Sequence, residues 1–186
     1  MRPAFFFDRD GVVNVCPGEG YVLSWEDFRF SEGISEALAW LRTRGFALIL
    51  VTNQQGVGKG LMTQAALDDL HARMQSELAR WNAQFDAIYA CTCLKSDPEC
   101  RCHKPSPEMA LQAAREYNLD LGKSWLIGDH DRDIAMAASA GVPHTIRVRG
   151  GRPVTIPATY EIDAVSELRA RLPAICSGAV AGPSRP

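Results

Sequence analysis

Three consecutive phenylalanines, Phe5 to Phe7, close on Asp8-Arg9-Asp10-Gly11, and this junction limits the chain more than any other stretch. An apolar run this short, ending in spaced acids, reads as a buried strand whose C-terminal end presents carboxylates to a cleft. Strand periodicity places Asp8 and Asp10 on one side and Arg9 on the other. Two carboxylates held together repel unless a cation lies between them. The pair therefore suggests a Mg²⁺ site beside a nucleophilic acid. Taken alone, the motif leaves a strand-end turn capped by acids as the alternative.

Strand and helix signals alternate along the rest of the chain, which predicts an α/β fold with a mostly parallel sheet flanked by helices. Strands are expected over 4–8, 46–51, 85–90, 124–127 and 145–148. The second is continuously apolar, as in a strand covered on both faces. Helices are expected over 31–44, with Ser31 as N-cap and Gly45 as stop, and from Thr63 with Leu67, Leu70, Met74 and Leu78 on one stripe. Further helices fall over 107–117, from Asp133 to Gly141, and over 164–172. The length of 186 residues suits one domain, expected over 1–176. The Gly-, Ala-, Pro- and Ser-rich stretch 177–186 is expected to be a disordered tail.

Composition excludes several classes of partner. A net charge of −2 gives no electrostatic reason to expect nucleic acid. No apolar run approaches the roughly 20 residues needed to span a bilayer, and no signal peptide is read at the N-terminus. The expectation is a cytoplasmic protein, a monomer, acting on a small molecule.

Ligand sites in parallel sheets lie beyond the carboxyl ends of the strands. By that rule the first strand delivers Asp8 and Asp10, the second Thr52 and Asn53, and the fourth Asp129 with Asp133 close behind. Lys104 stands near the start of a helix, where a cation and free backbone N–H groups can meet an anion. Three carboxylates, a hydroxyl and an ammonium converging on one edge suggest Mg²⁺ and a phosphate. Asp131 reads as the N-cap of the next helix rather than a ligand. Gly56-Val57-Gly58-Lys59-Gly60 lacks the spacing of a nucleotide-binding loop and the hydroxyl after its lysine, and reads as a flexible loop beside the site.

Four of the six cysteines, Cys91, Cys93, Cys100 and Cys102, fall within twelve residues. Clustering of this kind in a chain without an export signal argues for metal rather than disulfides. Four thiolates can close a tetrahedron around Zn²⁺, leaving no open position for water, so the site should be structural. Such a loop, over 91–103, would orient the adjacent Lys104. A redox pair remains the alternative.

In this order, Asp8-x-Asp10, Thr52, Lys104 and Gly128-Asp129-x-x-x-Asp133 resemble the four motifs of the haloacid dehalogenase-type phosphatases. Asp8-Arg9-Asp10-Gly11, Thr52-Asn53-Gln54, the cysteine loop and Lys104-Pro105 are similar to its D,D-heptose 1,7-bisphosphate phosphatase and histidinol-phosphate phosphatase branch. The resemblance runs from about Ala4 to Val148. It implies a Rossmann-like core with no large cap domain and a small zinc-binding loop. It also implies that Asp8 is the nucleophile and Asp10 the acid and base. Mg²⁺ would be held by the Asp8 carboxylate, the Asp10 carbonyl and Asp129. Thr52, Asn53 and Lys104 would stabilise the transferring phosphoryl group, with Asp133 supporting its neighbours. Substrate contacts would come from Glu19, Gly20, Tyr21, Gln54, Gln55, His103 and His130.

The chain departs from the branch in three places. Cys91-x-Cys93 replaces a Cys-x-His pair, an exchange that zinc tolerates. His103 stands where the branch carries an arginine implicated in substrate recognition, and His130 where a lysine is common. The implied reaction is hydrolysis of the 7-phosphate of heptose 1,7-bisphosphate through an aspartyl-phosphate. Histidinol phosphate or another small sugar phosphate is the alternative substrate. A non-catalytic zinc-stabilised binding module would have to treat the acids and Lys104 as coincidence.

Overall fold

The computed structural model describes residues 1–16, 18, 20–150 and 154–177. Six strands form one sheet: β1 (Ala4–Phe7), β2 (Ala47–Asn53), β3 (Ala87–Cys91), β4 (Trp125–Gly128), β5 (His144–Val148) and β6 (Tyr160–Ile162). Their order is β3-β2-β1-β4-β5-β6, and every neighbouring pair is parallel. The helices are α1 (Ile34–Thr43), a single turn α2 (Gln55–Gly58), α3 (Gln64–Ala79), α4 (Glu108–Tyr117), α5 (Asp131–Ala140) and α6 (Leu168–Cys176).

The phenylalanine run explains the layering. Side chains alternate across a strand, so Phe5 and Phe7 enter one core with Leu48 and Leu50 of β2, against α1, α3 and α6. Phe6 enters the other with Ile49 and Val51, against α4 and α5. Phe5, Phe6 and Phe7 are all fully buried, which is why no polar residue interrupts the run. The chain leaves β1 for β2 on one side and later returns to β4 on the other. The ends of β1 and β4 therefore flank the point where strand order reverses, the place where open parallel sheets bind ligands.

Some expectations need correction. Ser31 does not cap α1 through its side chain; the N-cap is Gly33, in a left-handed conformation (φ 78°). Asp131 is not the cap of α5. His130 holds that position, accepting from Arg132 N through Nδ1, while Asp131 pairs with Arg147 at 2.7 Å and accepts from Thr155. The last helix begins at Leu168, after a 3-10 turn over Val165–Glu167, and β6 adds a strand beyond the expected set. Apart from Ser177, the expected disordered tail lies outside the described residues. Among the described residues no helix is long and apolar enough to cross a membrane.

Candidate active site

Beyond Phe7 the chain leaves the strand and turns. Asp8 Oδ1 accepts from Arg9 N at 2.7 Å, and the Arg9 carbonyl accepts from the backbone N–H groups of Val12, Val13 and Asn14. The turn ends strand alternation one residue after β1, and this overturns the expected geometry of the motif. Arg9 does not point away from Asp10. It is fully buried, and its Nη2 lies 3.1 Å and 3.2 Å from the two Asp10 carboxylate oxygens. Asp10 also accepts from Asn14 Nδ2 and Gln54 Nε2, each at 3.0 Å. The two acids thus sit in separate surroundings, each with its own cationic partner.

Asp8 belongs to a second group, with Asp129 from the end of β4 and Asp133 from the first turn of α5. One carboxylate oxygen from each lies within 4.8 Å of the others, and all three residues are buried. Lys104 enters between two of them, with Nζ 2.8 Å from Asp8 and 2.6 Å from Asp133, and also donates to the Val51 carbonyl at 3.1 Å. Burial alone would lower the Lys104 pKa, but the Asp133 and Asp8 carboxylates outweigh it and hold the ammonium above its ordinary value. Burial raises Asp133, against the pull of Lys104. One ammonium against three buried carboxylates leaves an excess of negative charge among hard oxygen donors. Such a set fits Mg²⁺.

Two glycines permit this closeness. A Cβ on Gly11 (φ +90°) would stand 2.5 Å from Asp129 Oδ2, and one on Gly128 would stand 2.4 Å from Asp133 Cβ.

Thr52 and Asn53 close β2. Thr52 is buried, and its Oγ1 accepts from Gln54 Nε2 at 2.9 Å. Asn53 Oδ1 accepts from Lys104 N at 3.0 Å, so the side chain at one strand end fixes the backbone of the lysine. Lys104 lies before α4, which begins four residues later at Glu108; its ammonium works through the acids rather than through that helix end.

An open cavity of about 730 Å³ meets these groups, lined among others by Asp10, Gly20, Tyr21, Asn53, Gln55, Asp129 and Arg132. Of the residues expected to touch substrate, Gly20, Tyr21 and Gln55 line it, and Lys59 Nζ stands 5.2 Å over the Tyr21 ring. Gln54 is turned instead to Asp10 and Thr52. His103 lies against Asn53 at 3.4 Å, and burial first, then Arg132, Lys95 and Lys104, lower its pKa. His130 caps α5. Glu19 lies outside the described residues. Sequence reasoning missed Arg132, which lines the cavity with a buried Nε that has no hydrogen-bond partner among the described residues. Its place three residues after Asp129, in the first turn of α5, was the available signal.

The four cysteines gather beyond β3. Their sulfurs are 3.5 Å apart for Cys91–Cys100, 3.7 Å for Cys93–Cys102 and 3.8 Å for Cys100–Cys102. Four sulfurs about 2.3 Å from a central Zn²⁺ have tetrahedral edges of about 3.8 Å, whereas a disulfide needs about 2 Å. The cluster is compatible with a zinc site. Burial, then the neighbouring Cys102 and Cys100 thiols, pushes the Cys91 thiol well above its ordinary range. Four thiolates in this space call for a cation.

Fold and site together define a class: a parallel α/β hydrolase with its acids at the ends of β1 and β4. The haloacid dehalogenase-like hydrolase family matches residues 7–141, and the chain belongs to it. It is a phosphatase acting on phosphoric monoesters. The D-glycero-β-D-manno-heptose-1,7-bisphosphate 7-phosphatase of Yersinia pestis is 38% identical over 177 residues, covering 92% of this chain and 93% of the relative. That of Vibrio cholerae is 40% identical over 160 residues, covering 83% and 85%. Among solved structures, the D,D-heptose 1,7-bisphosphate phosphatase of B. bronchiseptica complexed with magnesium and phosphate superposes with a TM-score of 0.80 at 31% identity, covering 92% of this chain and 98% of that one.

Proposed function

We propose that this chain removes the 7-phosphate of D-glycero-D-manno-heptose 1,7-bisphosphate in a Mg²⁺-dependent reaction with Asp8 as nucleophile. The observation that carries the reading is the ion-pair pattern of Lys104, a buried ammonium joining Asp8 to Asp133 beside Asp129. Nothing in folding alone requires three buried acids around one lysine, and perturbed charges of this kind cluster at functional sites.

The residue roles are those that the family resemblance implies for these positions. An Asp8 oxygen forms a bond to phosphorus while the bond from phosphorus to the sugar oxygen breaks, and Asp10 gives that oxygen its proton. Asp10, now a carboxylate, takes a proton from the water that attacks the phosphoaspartate. Orthophosphate leaves and Asp8 is restored. Lys104 and Thr52 face the oxygens of the transferring group, and Asn53 keeps Lys104 in register. The Asp8 carboxylate, the Asp10 carbonyl and Asp129 would hold Mg²⁺, which supplies positive charge to the phosphoryl oxygens when bound. Cys91, Cys93, Cys100 and Cys102 would hold a structural Zn²⁺.

The second phosphate is assigned to Arg132. With the positions His103 and His130 turned to Asn53 and to the α5 cap, this guanidinium is the cation lining the cavity among the described residues. Its fork suits a phosphate. Gly20, Tyr21 and Gln55 would contact the sugar. We assign the activity to a cytoplasmic monomer, in keeping with the expectation from sequence.

Phosphate release with Mg²⁺ from both anomers of the heptose bisphosphate, histidinol phosphate and simple sugar monophosphates tests the reading. A preference of about 100-fold in kcat/KM for a heptose bisphosphate is expected, about 2.7 kcal/mol of differential transition-state binding. A flat profile, or histidinol phosphate in front, would overturn the substrate assignment.

A further inference from the structure

His71 sits on the buried stripe of α3 among Leu67, Leu70, Met74 and Leu78. It is 7% exposed. A polar ring placed there is costly unless a partner satisfies it. The partner comes from the active site. His71 Nε2 lies 3.3 Å from Arg9 Nη1, and Arg9 is fully buried. A guanidinium only donates hydrogen bonds, so Nε2 accepts and the ring proton sits on Nδ1. The opposite edge of the same guanidinium grips Asp10. Nε is 3.2 Å from Oδ1, and Nη2 is 3.1 Å and 3.2 Å from Oδ1 and Oδ2. Three side chains thus run from the interior of a helix to a carboxyl group that lines the cavity.

We infer that His71 is a positioning residue for Asp10: by accepting from Arg9 Nη1 it fixes the plane of the guanidinium, which in turn fixes the Asp10 carboxyl. The inference rests on Asp10 acting as acid and base. Proton transfer to a departing oxygen needs that carboxyl held at one distance and angle, and a planar fork supplies both. Asn14 and Gln54 reach Asp10 from other sides, but neither fixes Arg9. The acceptor role requires a neutral imidazole. Burial and then Arg9 lower the His71 pKa to about 4, against the opposing pull of Asp68 and Asp10, so the lone pair is available near neutral pH.

The leaving group separates this role from a merely structural one. A sugar alkoxide needs a proton as it departs, whereas 2,4-dinitrophenolate does not. His71→Leu keeps an apolar side chain on the stripe but removes the acceptor; His71→Gln offers an amide oxygen at similar reach. The Leu variant should lose about 10-fold or more in kcat/KM on the sugar phosphate, the constant that reports phosphoryl transfer to Asp8 and not the later water step that also uses Asp10. On 2,4-dinitrophenyl phosphate its loss in kcat/KM should stay below about 3-fold, and the Gln variant should recover most of the sugar-phosphate kcat/KM. Should the Leu variant fold poorly, His71→Asn, polar but short of Arg9, carries the same comparison. Equal losses on both substrates, no loss, or Gln no better than Leu would overturn the inference. Asp10→Asn is the control and should show the same selectivity more strongly. If it does while the His71 variants do not, the inference alone fails. If Asp10→Asn shows none, the acid role of Asp10 fails and the inference with it.

Discussion

Two regions meet at Lys104, and they are built by different means. The first is the strand-end acid group, Asp8, Asp129 and Asp133, anchored by β1, β4 and α5 and packed over two buried cores. The second is the cysteine loop beyond β3, whose sulfurs lie at the spacing of a metal tetrahedron. Asn53 joins them, accepting from the Lys104 backbone while the Lys104 ammonium reaches Asp8. A hydrogen-bonded sheet positions charge through its backbone, whereas a loop with little apolar surface needs a cross-link. The contrast sets two tests for the same lysine, one that removes its acids and one that removes its loop.

Breaking the acid side has the largest expected effect. Asp8→Asn should lower turnover by about 10⁴-fold or more with the fold intact by circular dichroism, since the nucleophile is gone while the shape is kept. Lys104→Met comes next. It leaves two buried carboxylates without their ammonium, and should destabilise the protein by about 3–5 kcal/mol in urea titration. Added Mg²⁺ should restore part of that loss, because the ion would counter the same charges. Stability that does not respond to Mg²⁺ would argue against a cation among Asp8, Asp129 and Asp133.

A third prediction uses pH to probe the clamp on Asp10. The folded-state pKa of His71 is lowered from 6.5 to about 4. Between those values the unfolded chain binds the proton more strongly, so stability rises with pH across this window. The contribution is complete above about pH 6.5 and lost as pH falls through about 4, amounting to roughly 3 kcal/mol. His71→Gln should flatten the unfolding free energy against pH in that window; an unchanged profile would contradict the buried neutral ring. The smallest effect belongs to the loop. Replacing Cys91 and Cys102 by serine should remove bound zinc by elemental analysis and lower kcat about 10- to 100-fold, with most of the global stability retained. Full activity without zinc would show that the loop does not position Lys104.

The sequence carried much of this plan because the strongest signals were long-range in consequence but local in pattern. The Phe5–Phe7 run suits a central strand, since a strand covered on both faces buries successive large side chains. Asp129 and Asp133 were readable because the end of a parallel strand and the first turn of its helix share one edge of the sheet. Local pattern failed where a contact depended on tertiary structure. Strand alternation does not reach Arg9, because the backbone turns after Phe7 and the Arg9 carbonyl accepts hydrogen bonds that no spacing announces. His130 replaced Asp131 as the cap because Arg147 and Thr155, distant in sequence, claim the Asp131 carboxylate. β6 is three residues long at the sheet edge, too short for periodicity to register. His71 lay on a stripe already read as buried, yet its partner is 62 residues away.

The central claim is that Asp8 carries the phosphoryl group between substrate and water. Mixing the enzyme with Mg²⁺ and heptose bisphosphate labelled at the 7-phosphate, quenching in acid within milliseconds and mapping the labelled peptide tests it most directly. Label on the peptide containing Asp8, absent in Asp8→Asn and decaying as orthophosphate appears, is the predicted result. Turnover with no covalent label, or with label on another residue, would contradict the account.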